Sequence, residues 1–225
     1  MNHAAVMSAA ATRLPDLGAS GLAAEDLACR RGDRLLFSGL GFSLPAGESL
    51  LVEGHNGSGK TSLLRILCGL SRPAEGEVRW RGSAIHSMGE EFNAELLYIG
   101  HLNAVKEELS GFENLMLAAR LRGEAVTPDA CLDALARMGL AGLQELPAAM
   151  LSQGQRRRLA LSRLLLSRVP LWILDEPYSA LDRKAVAQMK GTIEGHLADG
   201  GSVVMVTHQD VPLATPQRHV RVGAE

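Results

Sequence analysis

The chain has 225 residues, 46% of them apolar, and its 23 Lys and Arg against 25 Asp and Glu give a formal net charge of −2. At roughly 150 residues per domain this is one large domain or a core with a subdomain, with neither a basic field for nucleic acid nor an acidic tail. Aromatic residues make up 4%, too few for a base-stacking platform that grips single strands.

Residues 1–20 are rich in Ala, include Pro15 and Gly18, and are expected to form a disordered tail. They lack the basic start and apolar centre of a secretory leader, so a cytosolic protein is expected. From Leu22 to Trp80 short strands and turns are predicted: Leu35 to Phe37, Phe42 to Leu44, a turn at Pro45-Ala46-Gly47, and Leu50-Leu51-Val52 as a continuous apolar strand. The longest stretch free of Asp, Glu, Lys and Arg, Leu35 to Gly47, falls short of the about 18 apolar residues a membrane-spanning helix needs. A helix is predicted over Ser62 to Leu70. Val78 and Trp80 alternate with charged residues as in an edge hairpin. Glu113 to Arg122 and Asp129 to Met138 carry apolar residues at helical spacing, with Pro128 placed to start the second. Leu171 to Leu174 and Val203 to Val206 are all-apolar runs, as parallel strands buried on both faces require. Between them Asp182 can cap a helix running to about Ala198 and stopping at Gly200-Gly201. The pattern describes an α/β core with an all-α subdomain. Cys29, Cys68 and Cys131 fit no metal spacing and are expected to be small buried apolar residues.

Chemistry concentrates first in Gly54-His55-Asn56-Gly57-Ser58-Gly59-Lys60-Thr61, a G-x-x-x-x-G-K-T run between a predicted strand and a predicted helix. Its backbone amides and the helix N-terminus can cradle a phosphate chain, Lys60 can reach β and γ phosphates, and the Thr61 hydroxyl can hold Mg²⁺. Asp175 and Glu176 end one apolar strand, where a second Mg²⁺ contact and a carboxylate to orient or deprotonate water belong. Thr207 and His208 end the next, and a γ-phosphate contact is the favoured role for His208. Leu151-Ser152-Gln153-Gly154-Gln155 precedes a helix and offers a hydroxyl and free amides to an anion. Of the arginines that follow it, Arg156, Arg157, Arg158, Arg163 and Arg168, most are expected on a solvated face, because Leu159, Ser162 and Leu166 mark a packed one.

These blocks, with Ser179-Ala180-Leu181-Asp182, resemble in identity and order the motifs of the ATP-binding cassette (ABC) ATPases, and the likeness covers about Leu22 to Val222. The resemblance implies an α/β phosphate-loop core with a small antiparallel β-subdomain and an inserted all-α subdomain at about residues 101–168, the cassette occupying 21–225. It implies ATP and Mg²⁺ as ligands, with Glu176 as catalytic base and His208 as γ-phosphate sensor. A homodimer is also implied, in which Ser152, Gln153, Gly154, Gln155 and Asp182 of one subunit complete the other's ATP site. Integral membrane subunits would dock on the helical subdomain. Within the family, Leu35 to Leu40, Leu97 to His101, Glu113 to Leu115 and Leu171 to Pro177 resemble the ATP-binding subunits that serve haem export in cytochrome c maturation. That subfamily implies a peripheral protein on the cytoplasmic face of the inner membrane, with a haem chaperone among its partners.

The sequence departs from the family pattern in three places. His101 stands where a Gln usually contacts Mg²⁺; neutral imidazole can accept a hydrogen bond from water around the ion. Gln153 replaces the first Gly of the signature. Arg30 and Arg31 occupy the region of the usual adenine-stacking aromatic, and the Arg31 guanidinium plane can stack on a base in its place; Phe37, the other candidate, reads better as a buried strand residue. Rival functions are another small ABC exporter, a soluble non-transport ABC ATPase and a small phosphate-loop kinase. The stretch from Lys60 to Ser152 is too short for a repair protein's coiled coil, and a kinase needs neither Leu151 to Gln155 nor His208.

Overall fold

The computed structural model describes residues 21–223; the expected N-terminal tail, 1–20, lies outside the described residues. In chain order the elements are β1 (Gly21–Arg31), β2 (Arg34–Pro45), β3 (Ser49–Glu53), α1 (Lys60–Leu67), β4 (Glu75–Trp80), β5 (Ser83–Ala84), α2 (Ile85–Met88), α3 (Glu90–Ala94) and β6 (Leu96–Ile99). They continue with α4 (Gly111–Leu121), α5 (Pro128–Arg137), α6 (Gln153–Leu166), β7 (Leu171–Asp175), α7 (Arg183–Ala198), β8 (Ser202–Val206) and β9 (Gln217–Arg221).

A four-stranded antiparallel sheet of order β2-β1-β4-β5 stands beside a five-stranded parallel sheet of order β6-β7-β8-β3-β9. In the first, β1 pairs with β2 from Gly21↔Pro45 to Arg31↔Arg34. The predicted Val78–Trp80 hairpin exists, but β4 is an interior strand there and only the two-residue β5 takes the edge. In the second, β7 (LWILD) and β8 (SVVMV) are buried along their whole length, as central strands covered on both faces must be. Strand β9 was not legible from the sequence: QRHVR is polar and lies at the sheet edge.

Helix α1 packs Leu63, Leu64, Ile66 and Leu67 into the core shared by the two sheets. On the other face of the parallel sheet, α6 and α7 bring Leu161, Leu164, Met189 and Ile193 against Trp172, Leu174 and Met205. A third core joins Leu115 of α4, Cys131 and Leu135 of α5, and Leu159 of α6. Because α6 feeds two cores, and each buried leucine contributes about 2 kcal/mol, it fastens the helical segment to the sheet. All three cysteines are buried, as expected.

Helix starts follow their caps. Ser110 and Glu113 form a reciprocal capping box at α4, Thr127 accepts from Ala130 N ahead of Pro128 at α5, and Asp182 caps α7. Helix α1 begins two residues before the predicted start, because Gly59, with φ 106°, is its left-handed N-cap. Among the described residues no helix is long and apolar enough to cross a membrane.

Candidate functional site

Strands β3, β8 and β7 are neighbours in the parallel sheet, so their carboxyl ends deliver three loops to one edge. The loop after β3 turns at Gly54, φ 147°, where a Cβ would run into the Val222 carbonyl and the Ser58 hydroxyl; only glycine allows that approach. His55, Asn56 and Gly57 face solvent, and Ser58 is buried. Lys60 is buried and its Nζ donates to the carbonyls of Gly54 at 2.6 Å and His55 at 3.1 Å. The ammonium is thus held over the loop whose amides would receive phosphate.

Thr61 Oγ1 donates to Asp175 Oδ2 at 3.2 Å. Asp175 is 3% exposed and ends β7. One hydroxyl and one carboxylate form an oxygen-only pair, which fits Mg²⁺: that ion uses one or two protein oxygens and leaves its other positions to phosphates and water. Among the described residues no cluster of three or more His, Cys, Asp or Glu could hold a metal instead.

Glu176 adopts φ 53°, a left-handed conformation unusual for a residue with a Cβ. Its amide donates to Val206 O at 2.9 Å. Its carboxylate receives the His208 backbone amide at 3.3 Å, and His208 Nε2 lies 3.5 Å from the other carboxylate oxygen. The two residues named from strand ends are therefore neighbours, and the His208 ring, 61% exposed, points to where a substrate can reach it.

Ser152 is the exposed N-cap of α6: its Oγ accepts from Gln155 N at 3.2 Å, while Gln155 Oε1 accepts from Ser152 N at 2.8 Å. This box consumes the Gln155 side chain internally and leaves the amides of Gln153 and Gly154 free by helix geometry. Gly154 lies against the loop after β7, where an added Cβ would stand 2.8 Å from Ala180 O. Asp182 Oδ1 accepts from Ala185 N at 2.8 Å.

Two candidates stand apart. His101 is exposed just beyond β6, and no hydrogen bond joins it to Thr61 or Asp175. Arg31 sits at the exposed tip of the β1–β2 hairpin, paired with Arg34. From that hairpin it is Leu36 and Phe37 that reach the phosphate loop, within 3.1 and 3.2 Å of a Cβ built on Gly59. Phe37 is buried, a strand residue as its neighbours suggested.

The expected solvated arginine face is not found: of the five, Arg168 alone is exposed, Arg156, Arg158 and Arg163 are half-buried, and Arg157 is buried, because the helix packs on more than one side. Arg157 is 4% exposed. Its Nη2 donates to the carbonyls of Asp175 at 2.7 Å and Glu176 at 2.8 Å, and its Nη1 to Gly100 O at 2.9 Å and Asn103 Oδ1 at 3.3 Å. Burial lowers its pKa, an effect opposed by the charges of Asp175 and Glu176. A signal was present: Leu161 and Leu164 lie four and seven positions on, the spacing of one helix face, and both are buried.

Residues 37–179 match the family model described as ABC transporter. The chain is 53% identical, over 90% of its own length and 100% of the relative's, to the cytochrome c biogenesis ATP-binding export protein CcmA of Dechloromonas aromatica (strain RCB). It resembles a solved ATP-binding subunit of an ABC transporter with a TM-score of 0.76 at 25% identity, covering 84% of this chain and 80% of that one. At 22% identity and TM-score 0.74, covering 84% and 88%, it shares the fold of an ATP-binding cassette solved as a dimer in a post-hydrolysis state with ADP and Pi.

Proposed function

The chain belongs to the ABC transporter family, and from that premise we propose that it is the ATP-hydrolysing subunit of an ABC membrane complex driving haem export or haem-chaperone release in c-type cytochrome biogenesis. The observation that carries the ATPase half is the convergence of Lys60, Thr61, Asp175, Glu176 and His208 on one sheet edge. The likeness to a cytochrome c biogenesis export protein over nearly the whole chain supports the other half.

The loop Gly54 to Thr61 wraps the triphosphate, and Lys60 exchanges its loop carbonyls for β and γ oxygens. Thr61 and Asp175 would hold Mg²⁺, with His101 as a further contact from the loop after β6, and the ion would neutralise charge on the phosphates. Arg31 stacks on adenine. The Glu176 carboxylate orients water for in-line attack and takes its proton. His208 donates to the γ phosphate from the position its contact with Glu176 fixes. In a homodimer, the Ser152 hydroxyl and the amides of Gln153 and Gly154 complete the γ-phosphate shell of the opposite protomer, followed by Gln155, with Asp182 at the seam. The helical segment, residues 101–168, receives integral membrane subunits, which makes the protein peripheral on the cytoplasmic face of the inner membrane, and a haem chaperone acts downstream.

The test is replacement of the wild-type chain by Lys60→Ala in cells, followed by haem staining of c-type cytochromes. Loss of covalently bound haem, with the protein still at the membrane, is expected. Normal c-type cytochromes would assign the ATPase to another small exporter, and failure to co-purify with any membrane protein would favour a soluble ABC ATPase.

A further inference from the structure

Arg157 links more of the site than any sequence motif requires. Four oxygens from two chain segments converge on its guanidinium: Gly100 O and Asn103 Oδ1 after β6, Asp175 O and Glu176 O at the end of β7. A buried cation is costly unless its donors are filled; here both terminal nitrogens are each doubly engaged, while Nε is buried without a partner, so the terminal contacts carry the compensation. Three of the four acceptors are main-chain carbonyls, so what Arg157 fixes is backbone path.

That path matters at Glu176. A left-handed non-glycine residue persists only where its surroundings over-determine it. The restraints are the Val206 carbonyl on the Glu176 amide, His208 on its carboxylate, and Arg157 with the Ser179 amide on its carbonyl. Arg157 also stands in the second turn of α6, whose first turn presents Ser152 to Gln155. It grips the segment after β6 as well, which holds His101.

We propose that Arg157 is a positioning residue for hydrolysis: it holds the Glu176 main chain in its left-handed conformation and makes that conformation depend on how α6 and residues 100–103 are seated against β7. Displacing the signature helix withdraws a donor from the Glu176 carbonyl, so the carboxylate is aimed for attack only when the helical segment is docked. Arginine is required because a single ammonium cannot serve both pairs of acceptors. The inference rests on Glu176 being the base.

The experiment is steady-state ATP hydrolysis and equilibrium ATP binding by full-length Arg157→Gln, Arg157→Lys and Glu176→Gln chains, with thermal unfolding recorded for each. A positioning role lowers kcat about tenfold or more in a folded Arg157→Gln, because small misplacements of a catalytic group are this expensive, while KM and ATP affinity stay within about threefold. Arg157→Lys is judged by the same split if the Gln variant does not fold. Unchanged kcat in a folded variant, or a raised KM with unchanged kcat, overturns the proposal. So does failure of both variants to fold, which makes Arg157 a packing residue. Retained hydrolysis in Glu176→Gln overturns the base assignment itself; lost hydrolysis there, with normal Arg157 variants, sinks the positioning role alone.

Discussion

Thr61 and Asp175 are 114 positions apart, and the threonine hydroxyl donates to the aspartate across 3.2 Å. The contact closes the phosphate loop onto the end of β7 and sets two oxygens where one ion can meet both. Asp175→Asn keeps the shape and removes the charge. Its kcat should fall about 100-fold, the scale of lost electrostatic stabilisation, and the Mg²⁺ concentration giving half-maximal rate should rise. Initial rates across a Mg²⁺ titration check this; an unmoved titration midpoint would remove Asp175 from the metal.

Gly154 and Gln153 are adjacent but unequal. A Cβ on Gly154 meets the Ala180 carbonyl at 2.8 Å, whereas Gln153 is exposed. Gly154→Ala should cost about 1–3 kcal/mol by overpacking against backbone and reduce hydrolysis. Gln153→Gly should stay within about twofold of wild type, since the group Gln153 offers is its backbone amide, which glycine keeps, and its exposed side chain is dispensable. Denaturant unfolding and ATPase rates on both variants decide it.

His101 is exposed just beyond β6, and the proposed function gives it a contact to the ion at Thr61 and Asp175. Groups that support a metal site without dominating it typically account for about tenfold in activity, so His101→Ala should lose that much and His101→Gln should recover most of it. Wild-type activity in the Ala variant would leave His101 without a part in the reaction.

Arg31 is tested by comparing ligands. Stacking of a guanidinium on a base amounts to about 1 kcal/mol, so Arg31→Ala should weaken ATP about fivefold and inorganic triphosphate much less. Isothermal titration with both ligands gives the ratio, and an unchanged ratio would leave adenine to the neighbouring hairpin residues.

His196 stacks on Trp172 with ring centroids 3.7 Å apart, far from the phosphate loop at the other end of β7. Burial lowers its pKa below 6.5, only partly offset by the Pro170 and Ser202 backbone and the Asp199 charge. The folded state therefore refuses a proton that the unfolded chain accepts. The stability this histidine gives is complete above about pH 6.5 and declines as pH falls below it. His196→Gln should be less stable by about 1 kcal/mol at pH 7.5 through the lost stack, yet lose less than wild type between pH 7.5 and 5.5. Urea denaturation at the two pH values measures the difference, and parallel losses would exclude the histidine.

Much of the site was legible because its signals are local. Gly54 to Thr61 is an unbroken motif, and Asp175 and His208 follow short apolar runs that only buried parallel strands produce. What escaped depends on neighbours the chain meets late. Strand β9 is polar because one side of it has no partner strand, so periodicity says nothing about Gln217 to Arg221. Helices α2 and α3 are too short for a period to register. The arginines after Gln155 read as mostly solvated because charge favours water, although Arg157 shares its helix face with Leu161 and Leu164; its compensation lies in carbonyls of Gly100, Asp175 and Glu176, which no side-chain pattern reveals.

The paired hydrogen bonds from Lys60 to Gly54 and His55 carry a kinetic consequence. One ammonium already curves the loop by satisfying its carbonyls from within, so phosphate capture is a swap of acceptors at a single nitrogen. The rearrangement is confined to the rotatable bonds of one lysine. Under the proposed function, the phosphate loop is then the stationary part of the site, and any larger movement belongs to other segments.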